Sequence, residues 1–132
     1  MPGRALRRRL RSRRFEVRDR SMAPAFLPGD RLLVDTAEFT TRPPHRGEVV
    51  VLRDPDDGRR LLLKRVAAVE HELIPGPPGD DRVVPPGHVY VLSDASREGR
   101  DSRRFGALPL SALLGPVWSR YAPLSRRGPV PP

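Results

Sequence analysis

The sequence predicts an all-β fold, a small partly open β-barrel or sandwich with a basic N-terminal arm. Three observations point there: short apolar runs recur at close intervals, turn-forming residues separate them, and helix signals are weak throughout. Seventeen prolines and eleven glycines punctuate a chain of 132 residues, which is the length of one ordinary domain with a single small core.

Residues 1–14 read as a flexible basic arm. Nine arginines (Arg4, Arg7, Arg8, Arg9, Arg11, Arg13, Arg14, Arg18, Arg20) stand against Glu16 and Asp19 in the first twenty positions, so most of the formal charge of +9 is concentrated there. Such an arm suits peripheral contact with an anionic membrane surface through residues 4–14. Nucleic acid is a poorer match, because no aromatic side chain is interleaved with the arginines between 4 and 14 to stack on bases. No apolar run approaches the roughly 20 residues of a bilayer span, and the arm lacks the apolar stretch of about 7–15 residues that marks a secretory signal. The expectation is a cytoplasmic protein, at most peripheral to the inner face of the membrane.

The domain proper is expected over residues 15–121. Phe15 to Arg18 makes a short strand entering a turn-rich segment, Ser21-Met22-Ala23-Pro24-Ala25-Phe26-Leu27-Pro28-Gly29-Asp30, and Arg31 to Asp35 makes the next strand. Thr40 to Gly47 is a loop by composition, and the β-branched run Glu48 to Arg53 follows. Asp54-Pro55-Asp56-Asp57-Gly58 joins that run to Arg60–Val69 as a hairpin. A Pro/Gly-rich connection leads to Arg82-Val83-Val84, and Pro85-Pro86-Gly87 turns into the strand His88 to Leu92. A polar loop spans Ser93 to Gly106; Leu110 to Leu114 carries the best short helix signal, and residues 122–132 form a loose Pro/Arg-rich tail. There is no cysteine, and His45, His71 and His88 are scattered without metal-ligand spacing, so no metal or other cofactor is expected.

Ser21 and Lys64 are the candidate chemical residues. A lysine ordinarily holds its proton up to a pKa of about 10.4, and burial among apolar groups is one way to make it a base. Period-2 alternation puts Leu62, Lys64 and Val66 on one strand face, a lysine between two aliphatic neighbours. A serine in a turn and a lysine in a strand are separately ordinary structural residues; it is their company that distinguishes them.

That company is Ser21-Met22-x-Pro24, Pro28-Gly29-Asp30, Gly47-Glu48-Val49-Val50-Val51, Lys64-Arg65-Val66, Gly87-x-Val89-Tyr90-Val91-Leu92-x-Asp94 and Asp101-Ser102-Arg103-x-x-Gly106. In this order, over residues 15–121, the set resembles the type I signal peptidases and their relatives. The resemblance implies a serine endopeptidase with Ser21 as nucleophile, Lys64 as general base and the Ser21 backbone N–H as an oxyanion donor. It further implies Met22 packed beneath the nucleophile, Pro24 fixing the turn, Asp30 supporting it, and Arg65, Asp94, Asp101, Ser102 and Arg103 as scaffold around the lysine strand. Three positions depart from the family pattern. Asp19 stands where a hydroxyl often supplies a second oxyanion donor, Gly99 where a serine commonly orients the lysine, and Ser93 where glycine is usual and a side chain is expected to crowd the lysine. Ser96 is a conceivable substitute for the missing serine.

Within that group, the short Arg/Pro-rich chain with Asp101-Ser102-Arg103-x-Phe105-Gly106 and Arg120-Tyr121-x-Pro123 resembles the nickel-type superoxide dismutase maturation proteases. That implies a leader-bearing polypeptide, a nickel superoxide dismutase precursor, as substrate. The alternatives are signal-peptidase-like processing of exported proteins, or an inactive peptide- or nucleic-acid-binding module.

Overall fold

The computed structural model describes residues 2–95, 97 and 99–132. Eight strands form one antiparallel sheet: β1 (Ser12–Glu16), β2 (Arg31–Asp35), β3 (Val49–Arg53), β4 (Leu61–Val69), β5 (His88–Leu92), β6 (Leu108–Pro109), β7 (Leu113–Ala122) and β8 (Gly128–Pro129). Their order is β1-β2-β7-β3-β4-β5-β6, with β8 also on β7. The all-β expectation holds, as a single open sheet whose two halves share β7.

β7 joins the halves because its first residues pair with β3 (Pro116 opposite Val50) and its later ones with β2 (Val117 opposite Val34). Gly115 lets β7 lie close under β2: a Cβ there would collide with the Asp35 carbonyl oxygen. The sheet wraps its own core. Val49 and Val51 of β3 join Leu32, Val34, Leu63 and Val117 in one apolar cluster, while Val50 and Leu52 join Leu62, Val66, Val89 and Val91 in a second. β3 is thus buried on both faces, as its unbroken aliphatic run requires.

The arm differs from expectation. Pro2–Leu10 form helix α1, with Pro at its first position and Arg7, Arg8 and Arg9 in the last turn, where cations suit the helix dipole. β1 begins at Ser12, inside the stretch read as arm. Arg8 and Arg11 both donate to the fully buried carboxylate of Asp35, at 2.7 and 2.8 Å, and the Arg8 guanidinium lies 5.0 Å from the Trp118 ring centre. Periodicity could not show this, because the partner lies 24 or more residues away in sequence. The tail is also tied down: Gly128 and Pro129 pair with β7, and Arg126 reaches Asp30. Arg82–Val84 contribute only one bridge, Leu73 to Val83, and Leu110–Ala112 form a single 3-10 turn ahead of β7.

Candidate active site

The nucleophile candidate sits on the connection between β1 and β2. Val17 and Asp30 close the base of that loop through Val17 N–H to Asp30 O (2.9 Å) and Gly29 N–H to Val17 O (2.8 Å). Met22 and Phe26, 1% and 0% exposed, plug the loop into the first apolar cluster. Asp30 accepts from the Leu27 N–H (2.9 Å) and from the guanidinium groups of Arg120 (3.2 Å) and Arg126 (3.0 Å). The Ala23–Pro24 peptide is cis. Ser21 emerges from this rigid loop 2% exposed.

Lys64 lies on β4, opposite Val50 of β3, and is 1% exposed. Burial pushes its amine below the ordinary lysine range; Asp19 and Asp101 pull the other way, while Arg60 and Arg103 add to the depression. Its Nζ donates to Ser93 Oγ at 3.1 Å. Lys64 and Ser21 meet at Gly99: a Cβ on that glycine would lie 3.1 Å from Lys64 Nζ, 3.1 Å from Ser21 Cβ and 3.8 Å from Ser21 Oγ.

The segment after β5 is bonded to both of these parts. Ser93 N–H donates to Asp101 Oδ2 (3.0 Å), Asp94 takes a two-pronged ion pair from Arg65 (2.8 and 2.9 Å), and Ala95 N–H donates to the Ser21 carbonyl (2.9 Å). The Asp94 N–H also points at Met22 Sδ, 3.4 Å away. Arg65 further donates to Gly47 O at 2.9 Å. The Asp-Ser-Arg motif supports that segment from behind. Asp101 caps the short helix α2 (Ser102–Phe105) and binds Arg103, while the Ser102 hydroxyl accepts the Val91 N–H at 2.9 Å. Burial works against the Asp101 charge, but Arg103 and the Ser93 N–H outweigh it and hold the carboxyl below its ordinary range. The scaffold residues therefore form two separate ion pairs, Arg65 with Asp94 and Arg103 with Asp101.

Two expectations change here. Ser93 does not crowd the lysine; it receives its hydrogen bond. The Ser21 backbone N–H, expected to face a developing oxyanion, instead donates to Asp19 Oδ1 at 2.9 Å. Partial burial alone would raise the Asp19 pKa, but the Ser21 backbone and hydroxyl, with Lys64 and Arg60, more than reverse this and keep the carboxylate ionised. Ser96 lies outside the described residues. Among those described, no cluster of histidine and carboxylate side chains is placed to hold a metal ion. One further signal is plain in hindsight: of twenty-five basic residues, Lys64 is the only lysine.

A cleft of about 340 Å³ opens at the pair, walled by residues 13–19 on one side and 60–64 on the other, with Ser21 and Met22 lining it. Among the described residues, β1 pairs with β2 alone, and β5 joins β4 only from Arg65 onward. Both walls therefore present unpaired strand edge.

The family described as signal peptidase, peptidase S26, matches residues 5–75 and 72–122. The mitochondrial ATP-independent inner membrane protease subunit 1b of Arabidopsis thaliana is 37% identical over 120 residues, covering 85% of this chain and 71% of that protein. The mitochondrial inner membrane protease subunit 2 of Schizosaccharomyces pombe is 33% identical over 118 residues, 85% of this chain and 66% of that protein. The Synechocystis protein named probable signal peptidase I-1 is 28% identical over 137 residues, with 82% and 70% covered.

Proposed function

The chain belongs to the signal peptidase family, peptidase S26, and on that premise we propose that it is a serine endopeptidase that removes leader peptides with Ser21 and Lys64 as a dyad. The observation that carries this reading is the convergence of a buried lysine and a buried serine beside Gly99, at a cleft walled by two unpaired strand edges. An extended peptide would add main-chain hydrogen bonds to those edges and bring one carbonyl to Ser21. Neutral Lys64 takes the hydroxyl proton as Ser21 Oγ bonds to the carbonyl carbon, and the C–N bond breaks as Lys64 returns that proton to the departing amine. Water, deprotonated by Lys64, then cleaves the resulting ester and restores Ser21. Asp19 must leave the Ser21 N–H for that donor to serve the oxyanion.

Relatives named for the mitochondrial inner membrane favour work at a membrane face over the cytoplasmic placement expected from composition. Among the described residues no helix is long and apolar enough to cross a membrane. Helix α1 is suited to a peripheral role, with Leu6 and Leu10 exposed one turn apart among arginines, although Arg8 and Arg11 are engaged by Asp35. The narrower assignment, maturation of nickel superoxide dismutase, rests on the motifs around Asp101 and Arg120 alone.

The test is cleavage followed by mass spectrometry, with wild type, Ser21→Ala and Lys64→Ala. One substrate is a signal-peptide precursor and the other a nickel superoxide dismutase precursor. A single cut by wild type with both variants silent supports the dyad, and the substrate that is cut decides between the two assignments. Wild type inert toward both while folded overturns the peptidase reading.

A further inference from the structure

We infer that Ser93 is the positioning residue for Lys64, supplying the hydroxyl that position 99 does not carry; this rests on the reading of Ser21 and Lys64 as nucleophile and base.

A lysine works as a base only if its lone pair is aimed at the proton it takes. Burial of the stem fixes the carbon chain, but the terminal amine still rotates, and a buried N–H without an acceptor is costly. Ser93 Oγ, 3.1 Å from Nζ and itself only 7% exposed, accepts one of those protons. With one corner of the amine committed to Ser93, the remaining corners are set in direction, and the Ser21 side chain lies beside the same glycine, Gly99, as the amine.

Ser93 is itself immobilised by neighbours that touch the rest of the site. Its N–H is held by Asp101, and Asp94 and Ala95 clamp Arg65 and the Ser21 carbonyl. The same three residues thus position the base, the strand that carries it and the nucleophile. A side chain at position 99 would be strained and tight against both reacting groups. The φ of +71° there is left-handed, and any Cβ would come within 3.1 Å of both Lys64 Nζ and Ser21 Cβ. The hydroxyl comes instead from the opposite end of the loop.

The charged groups acting on Lys64 are Asp19 from the nucleophile loop, Arg60 from the start of the β4 wall, and Asp101 and Arg103 from the α2 region. Ser93 adds an uncharged acceptor that favours the ammonium form. Its removal therefore moves the lysine midpoint to lower pH while slowing the chemical step.

Because Lys64 is the sole lysine, protein made with ¹³Cε-lysine gives one side-chain methylene signal whose pH titration reads this amine alone. Ser93→Ala, Ser93→Gly and Ser93→Thr are compared with wild type by that titration, by thermal unfolding and by the pH profile of peptide cleavage. The expected result has folded Ala and Gly variants with kcat lowered roughly 10- to 100-fold and KM little changed. Their lysine midpoint and the acid limb of the profile shift downward together, and Thr restores most of the activity. An unmoved midpoint with unchanged kcat overturns the proposal, as does loss of the fold in both the Ala and Gly variants. Should wild type cleave no peptide, the peptidase reading fails and the lysine titration still decides the contact: a midpoint unmoved by Ser93→Ala overturns it, and a moved one supports it.

Discussion

The Ser21 backbone N–H donates to the Asp19 carboxylate at 2.9 Å. A negative charge therefore sits on the main-chain donor that a tetrahedral oxyanion needs, and a substrate carbonyl has to displace it. Asp19 reaches solvent, so displacement into water or toward Arg60 on the facing cleft wall is open to it.

Replacing Asp19 by serine frees that donor and adds a hydroxyl. Because the Asp19 charge also raises the Lys64 pKa, its removal favours the neutral base at the same time. The expected outcome is a rise in kcat/KM of about 5- to 20-fold, a fraction of the 10²–10³-fold that one oxyanion donor is worth. Steady-state cleavage by Asp19→Ser checks this, and a fall in rate would mean that Asp19 assists the reaction.

Lys64 links activity to stability. The folded state binds its proton less readily than the unfolded chain does, so stability rises with pH between the depressed folded value and the ordinary value of about 10.4. Lys64→Met is expected to abolish cleavage and to stabilise the domain at neutral pH by about 0.5–2 kcal/mol. That advantage shrinks as pH climbs toward 10, and thermal melts at several pH values would read it.

Gly99 lies against both Lys64 and Ser21. Ala there puts a methyl group 3.1 Å from Nζ and from Ser21 Cβ in a left-handed backbone. Gly99→Ala is expected to cost about 1–2 kcal/mol of stability and at least roughly 10-fold in kcat. A melt together with cleavage kinetics separates the two effects, and unchanged kcat would mean that the packing of Ser21 and Lys64 against Gly99 does not matter to the reaction.

Asp30 anchors the loop that carries Ser21. Burial opposes its charge, but Arg126, the Leu27 N–H and Arg120 hold its pKa below the usual carboxylate range. The stability it contributes is present above the unfolded value and lost as pH falls through the folded one. Asp30→Ala, which leaves Arg120 without its buried partner, is expected to cost about 3–5 kcal/mol at neutral pH, with a deficit that narrows in acid. Urea unfolding at pH 7 and pH 3 checks the sign.

The strands that build the site were legible because each carries a local signal: the aliphatic run of β3, the Asp-Pro-Asp-Asp-Gly turn before β4, and the Pro-Pro-Gly turn before β5. Ser21 and Lys64 stand out through their order with the other motifs, and the structure brings both to one cleft. What escaped depends on contacts distant in sequence. Asp35 draws α1 onto the sheet through Arg8 and Arg11, Asp30 collects Arg126 from the tail, and Ser93 meets Lys64 across 29 positions. Periodicity within a strand carries no information about such partners. β7 was missed because Gly115 and Pro116 interrupt its pattern, where the backbone must pass close to Asp35.

The proposed mechanism needs Lys64 as a neutral amine at working pH, and its being the only lysine makes its titration directly measurable. A ¹³Cε-lysine titration of the wild-type protein is expected to give a midpoint well below the ordinary value of about 10.4, coincident with the acid limb of the cleavage profile. A midpoint at or above that value in folded, active protein would leave Ser21 without its base and rule out the dyad.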